Sequence, residues 1–184
     1  MKGQWTGLLQ GSRKQYVKRL CELHLARATR TLVQDLLRIY KTDDLLELID
    51  LVAYQTEVDY ASLAAFILDW KMPTVATLEK IARRSKLKIA LDVVPLKELP
   101  IAVEPPVYAF GTGDLAGKLG EVSRFYLGYF IPRADLRKAS FLTGSQLQAA
   151  LSGRCHKLLT VQCLLHVRRL KLRLRFVEID GGLS

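Results

Sequence analysis

The sequence predicts a mainly α-helical protein made of two tandem domains, each of which ends in a short β-strand. Three observations lead to this fold class. Apolar residues recur at helical spacing, a helix-then-strand pattern occurs twice at an offset of 85 residues, and prolines and glycines concentrate between the two copies. We therefore predict an N-terminal domain over residues 1–98, a Pro/Gly-rich linker over 99–120 and a C-terminal domain over 121–184.

Charge is distributed in blocks along the 184 residues, which carry a net charge of +10. Residues 2–41 hold nine basic and two acidic side chains, residues 43–69 hold seven acidic and no basic ones, and residues 137–175 hold nine basic and no acidic ones. Solvated surfaces usually mix the two signs. Blocks of this length therefore predict surfaces with different partners.

The composition argues against several classes of protein. The longest apolar runs are far shorter than the roughly 20 residues that cross a bilayer, so no membrane association is expected. Three scattered cysteines indicate a reducing compartment, and hence a cytoplasmic location, rather than a disulfide framework. Glycine-rich phosphate loops and the motifs of serine hydrolases and zinc proteases are missing. We expect no enzymatic activity, no cofactor and no metal site.

The first half predicts a long helix, further helices and then a strand. Apolar residues at helical spacing indicate a helix over residues 17–39. Residues 42–44 (TDD) suit the start of a second helix, because an N-cap and early carboxylates stabilise the positive end of a helix dipole. Residues 73–74 (PT) predict the start of another helix over 75–84. The alternation of apolar and polar residues over 86–93 predicts a strand.

The second half repeats this ending. Residues 83–89 (RRSKLKI) align with residues 168–174 (RRLKLRL), so that a helix ending in two arginines leads into an alternating strand in both places. Each strand is too short to be stable alone and is expected to pair with the other strand or with a second chain. On this basis the second strand contributes three predicted interface residues, Leu172, Leu174 and Phe176.

Residues 50–68 have the spacing of two helices joined by a tight turn. Ala53 is small enough for a close approach of the helices, and apolar residues at four positions fill the space between them: Val52, Val58, Leu63 and Phe66. The segment resembles the helix-turn-helix of the Cro/repressor (Xre-like) family. In that family a Pro-Ser/Thr helix start and a Thr-Leu-Glu-x-Ile-Ala helix follow the motif, as residues 73–74 and 77–82 (TLEKIA) do here.

This first copy departs from the family in two ways. Glu57 occupies the position of the usual turn glycine, and the would-be recognition helix presents Asp59 and small residues without any Arg, Lys, Asn or Gln. Carboxylates repel phosphates, and alanine reads little beyond a thymine methyl group. We therefore expect the first copy to contact protein rather than DNA, through Tyr60, Ala61 and Ala64.

Residues 136–153 resemble the helix-turn-helix of addiction-module antidote proteins, a branch of the same superfamily. The matching positions lie in the hairpin and in the strand that follows: Ala139, Leu142, Thr143, Leu147, Ala150, Leu151, Ser152 and Gly153, then Leu172, Leu174 and Phe176. Phe141 replaces the turn glycine, and residues 156–157 (HK) replace Asn-Pro. The two resemblances cover about residues 45–95 and 120–178 and imply two tandem helix-turn-helix domains.

The second copy supplies the predicted DNA-binding residues. Thr143 suits the N-cap of the recognition helix, and Gln146 and Gln148 have the chemistry to read base edges. Five further side chains are expected to contact phosphates or bases: Ser145, Arg154, Lys157, Arg137 and Lys138.

The predicted function is sequence-specific binding of double-stranded DNA to regulate transcription, as a homodimer or an intramolecular pseudo-dimer. Two alternatives stay open: an antitoxin that neutralises a toxin and represses its own operon, and a protein-binding adaptor that has lost DNA binding. An ordinary helical hairpin with solvated glutamines would also produce the pattern over residues 136–153. The acidic block is expected to bind the chain's own basic blocks or those of a second copy, and a cognate toxin and RNA polymerase are further candidate partners.

Overall fold

A computed structural model of the protein describes residues 2–96, 115–128 and 131–179. Within these ranges the chain forms eight α-helices and one two-stranded sheet. The first half contains α1 (Lys2–Tyr40), α2 (Leu45–Thr56), α3 (Tyr60–Ile67), α4 (Val75–Arg84) and β1 (Leu87–Pro95). The second half contains α5 (Leu115–Ser123), which continues as a π-helical turn (Arg124–Gly128), and then α6 (Arg133–Ser140), α7 (Gly144–Leu151), α8 (Leu158–His166) and β2 (Leu170–Glu178).

Side-chain caps mark the starts of α2 and α4. Asp44 caps α2 by accepting a hydrogen bond from the Leu46 backbone at 2.8 Å, and Thr74 caps α4 through the Thr77 backbone at 3.2 Å. Both caps satisfy backbone donors that have no partner within the helix. The predicted starts at residues 42–44 and 73–74, and the predicted helix over 75–84, are therefore confirmed.

The two strands pair with each other. They are antiparallel, with Leu91 opposite Leu174 at the centre of the ladder. The choice between pairing within the chain and pairing with a second chain is thus resolved in favour of the first. The predicted offset of 85 residues between the two copies is wrong by two for the strands. They begin at Leu87 and Leu170, and 170 − 87 is 83. The alternating sequences look alike when shifted by two, since side chains in a strand repeat their orientation with that period.

The two halves repeat the same order of elements after their first helices. In each half a helix, a three-residue turn, a second helix, a third helix and a strand follow one another. The first residue of each turn is left-handed, with φ of 55° at Glu57 and 58° at Phe141. Thr56 and Ser140, which precede these residues, are both buried and donate to the carbonyl four residues back. The repeat therefore includes backbone conformation as well as element order.

Helix α1 joins the two halves into one hydrophobic core. It packs against β2 and α8 of the second half as well as against α2 and α3. Its buried Asp35 accepts hydrogen bonds from the Arg175 guanidinium at 2.7–3.0 Å and from the Phe176 backbone at 3.0 Å. Buried apolar residues of both halves form a single cluster around the sheet.

The predicted linker lies only partly within the described residues. Positions 99–114 fall outside them, whereas positions 115–120 belong to α5, whose Leu115 and Leu119 are buried. The backbone N–H of Leu115 donates to Glu79 of α4 at 2.6 Å, which ties the start of α5 to the first half. No helix in the described ranges combines the length and hydropathy that a membrane span needs.

Candidate nucleic-acid interface

The predicted reading helix, α7, is exposed along one side and buried along the other. Leu147, Ala150 and Leu151 enter the core, whereas Ser145 and Gln148 face solvent. The amphipathic spacing of the sequence dictates this orientation. A polar helix surface is therefore available to a partner.

Thr143 and Gln146 form a capping box at the start of α7. The Thr143 hydroxyl accepts from the Gln146 backbone at 3.2 Å, and the Gln146 side-chain carbonyl accepts from the Thr143 backbone at 2.9 Å. The prediction of Thr143 as an N-cap is confirmed. Because the Gln146 side-chain carbonyl is hydrogen-bonded within the capping box, its side-chain NH₂ group is the part that can contact a ligand. Ser145 lies beside the box, with its hydroxyl 3.0 Å from that of Thr143.

Gln148 contacts a residue that the sequence did not single out. Its side-chain carbonyl accepts from the Arg133 guanidinium at 3.3 Å, across the gap between α7 and the first turn of α6. This places a cation directly beside the central polar residue of the exposed α7 surface. Arg154 and Lys157 follow α7 and are both exposed, after a turn in which Gly153 has φ of +73°.

Two basic segments that are distant in sequence line one groove. Its volume is about 1090 Å³, and its walls come from α1, α6, the turn before α7 and the end of α8. Five cations line this basic groove: Arg13, Lys14, Arg137, Lys138 and Arg169. Val17, Phe141, Leu142 and Val167 provide apolar surface between them. Because Thr143 follows Leu142 directly, α7 begins at the edge of the groove.

The cations of the basic groove have no carboxylate partners among the residues that the structure describes. Within the described part of the chain none of the five forms an ion pair with a carboxylate, and Asp135 is the acidic side chain that lines the groove with them. Elsewhere Glu57, Asp92 and Asp35 each pair with an arginine. A cleft of one sign focuses its field and attracts polyanions.

The first helix pair presents different chemistry. Asp59 caps α3, and hydrogen bonds from the Ser62 side chain and backbone hold the pKa of its carboxyl below the ordinary value. Glu57 pairs with Arg84 at 3.1 Å, and its carbonyl accepts from Lys80 at 2.6 Å. The acidic turn is thus partly neutralised by α4.

The three predicted interface residues of α3 differ in exposure. Tyr60 and Ala61 are exposed, whereas Ala64 is half-buried against the chain's own core. The other three predicted interface residues, Leu172, Leu174 and Phe176, are buried between the two halves. They form an interface within one chain, since their side chains are covered by β1, α1 and α8 and are not open to a second copy.

Sequence reasoning missed Arg133, Arg169 and the pairing of Arg13 and Lys14 with the second basic block. The charge blocks were visible, but only the packing of α1 along α8 brings them together. The described residues contain no group of three or more His, Cys, Asp or Glu side chains placed to hold a metal ion. All three cysteines are free and buried.

Comparisons with models of known protein families, with curated proteins and with solved structures give no match to this chain.

Proposed function

We propose that this protein is a sequence-specific, double-stranded DNA-binding regulator of transcription, in which each half is a helix-turn-helix domain and the second half holds the DNA. The observation that carries the proposal is the basic groove. Cations from two distant segments line it without carboxylate partners among the described residues, and it adjoins the start of an exposed polar helix.

The two parts of this surface would have different roles. Phosphate contacts from Arg137, Lys138 and the α1 cations supply affinity and fix orientation, because each neutralised phosphate releases counterions. Gln148 and the free amide of Gln146 supply base contacts from the helix that enters the major groove. Arg133, which contacts Gln148, and the exposed Arg154 and Lys157, which follow α7, would contact phosphates beside that helix.

The test measures binding of the full chain to duplexes selected from a random pool, by fluorescence anisotropy at several salt concentrations. Wild-type protein is expected to prefer the selected duplex to random DNA. Its affinity should fall with a log–log salt slope of about −0.9 per phosphate contact. Salt-independent binding, or equal affinity for all duplexes, would contradict the proposal.

Variants then separate the two roles. Gln148→Ala should reduce discrimination between selected and random DNA by about 1–3 kcal/mol, the usual value of one base contact. Arg137→Ala with Lys138→Ala should weaken binding to both duplexes equally and flatten the salt slope. Lys88→Ala is the matched control, since Lys88 is an exposed lysine on β1, outside the basic groove, and its loss should leave both properties unchanged.

A further inference from the structure

Helix α2 carries an outer face that is both acidic and apolar. Tyr54 stands at its centre and is 93% exposed, and Leu46 is 56% exposed on one side of it. At helical spacing Asp50 and Glu47 flank Tyr54, and Leu51 lies beyond Glu47. These five residues form what we call the α2 face. Large apolar side chains held in water within an acidic surround are typical of a site that another protein covers.

The repeat relates the central residue of this face to a cation of the basic groove. Thr56 and Ser140 occupy equivalent positions before the two left-handed turn residues, so Tyr54 corresponds to Lys138 on α6. Lys138 and its neighbour Arg137 line the basic groove. A position that carries an exposed tyrosine in the first half therefore carries a cation of the basic groove in the second.

The α2 face and the basic groove are complementary in two respects. The face offers two carboxylates, while the groove offers five cations without carboxylate partners in the described residues. The face also offers Leu46, Leu51 and Tyr54, while the groove has apolar surface from Val17, Phe141, Leu142 and Val167. Complementary charge selects the partner and its orientation, and apolar contact adds affinity.

We propose that the α2 face of one copy docks in the basic groove of a second copy. The contact joins two different surfaces of the same chain, so each docked copy leaves one face and one groove free for the next unless the assembly closes. Docking occupies the cations that would contact phosphate, so self-association and DNA binding exclude each other at this groove. The docking itself does not depend on the proposed DNA-binding function.

Sedimentation velocity of the full chain without DNA tests the docking. Wild-type protein should associate in a concentration-dependent manner, and association should weaken when NaCl rises from about 0.05 M to about 0.5 M, because the Debye length shortens several-fold. Two charge-reversed variants are compared: Glu47→Lys with Asp50→Lys in the face, and Arg137→Glu with Lys138→Glu in the groove. Circular dichroism melting first establishes that both fold.

Each variant alone should associate at least about tenfold more weakly than wild type, because like charges now meet across the contact. An equimolar mixture of the two should recover the association, because each variant then meets the opposite charge on the other. A matched leucine pair tests the apolar part: Leu46→Ser should weaken association, and Leu23→Ser, equally exposed on α1 and outside the groove, should not.

Three outcomes would overturn the docking: a wild-type chain that stays monomeric, association that persists in both variants, or a mixture that does not recover it. If the chain stays monomeric but a basic peptide or another protein binds the α2 face, the docking between copies is also overturned. DNA affinity is measured on the face variant, whose groove is intact. Recovery in the mixture with no DNA binding would leave the docking in place and remove the proposed function.

Discussion

Gly120 lies where the packing leaves no room for a side chain. It lies on α5 against the turn after α7, where an added Cβ would be 2.5 Å from the Cα and N atoms of Gly153. Gly153 in turn has φ of +73°, and its own added Cβ would meet Gly117 at 3.1 Å. The partners are backbone atoms, so no side chain can move aside. Two glycines that face each other hold α5 against the candidate interface.

Gly120→Ala is therefore expected to destabilise the protein by about 2 kcal/mol or more, within the usual range for overpacking or above it. Urea unfolding followed by circular dichroism measures the change. Gly144→Ala is the matched control: Gly144 begins α7 with nothing within 4 Å of an added Cβ. There the substitution should be neutral or stabilising by up to about 1 kcal/mol, because alanine loses less entropy on folding. Equal effects at the two sites would refute the packing argument.

The sequence could not distinguish these two uses of glycine. Gly117 and Gly120 follow four prolines, and composition alone assigned them to a linker. Glycine chosen for close backbone approach and glycine in a loop look identical until the packing partner is known. Thr143 shows the opposite case, because an N-cap depends only on neighbours within three residues and was predicted correctly.

At the scale of elements, α1 is attached to β2 by a buried carboxylate. Asp35 is 3% exposed and accepts hydrogen bonds from both Arg175 and the Phe176 backbone. The Asp92–Arg173 pair also involves β2, yet the Asp92 side chain is 17% exposed and has no such backbone bond among the described contacts. The two aspartates offer a comparison between an anchoring pair and a surface pair.

Asp35→Asn should lower the free energy of unfolding by about 2 kcal/mol or more. Removing one partner of a buried pair costs about 3–5 kcal/mol, and Arg175 keeps part of its hydration, which reduces that figure. Asp92→Asn should cost less than about 1 kcal/mol, as partly exposed pairs do. Thermal and urea unfolding of both variants provide the measurement. An Asp35 variant as stable as the Asp92 variant would show that the anchor does not hold α1.

Individual helices and strands were predicted well where local signals determine them. Which elements pack or pair with one another was not predicted. Residues 75–84 were assigned as a helix with the bounds that the structure shows, because Pro73 and Thr74 mark its start. The strands were recognised from their alternation, but alternation has no information on which strand pairs with which. Asp35 contributes the buried polar attachment of α1 to the second half, and no periodic pattern distinguishes it from Glu22, the other acidic residue of α1.

At the scale of the whole molecule, two histidines couple stability to pH. His24 on α1 and His166 on α8 are half-buried, and their Nδ1 atoms have no hydrogen-bond partner in the described structure. Burial lowers the pKa of both imidazoles below 6.5, and Lys171 lowers that of His24 further. Between the lowered pKa and 6.5 the unfolded chain binds more protons than the native one.

The free energy of unfolding should therefore be retained near pH 7.5 and decrease as the pH falls through about 6.5 toward about 5.5. Urea unfolding across this range measures the slope. The double substitution His24→Gln with His166→Gln should flatten it, whatever it does to stability at pH 7.5. His156→Gln is the control, because His156 is exposed and should leave the slope intact. A slope unchanged in the double variant would count against this coupling.

The β1–β2 ladder also sets an order of events during synthesis. Leu91 can pair with Leu174 only after residues 170–178 have emerged from the ribosome. The same holds for the contact of Asp35 with Arg175, which lies in that segment. Until then the apolar side of β1 and the inner side of α1 stay uncovered on a nascent chain, where chaperones would bind them. Translation that stalls before residue 170 should yield a trapped, aggregation-prone first half rather than a working fragment.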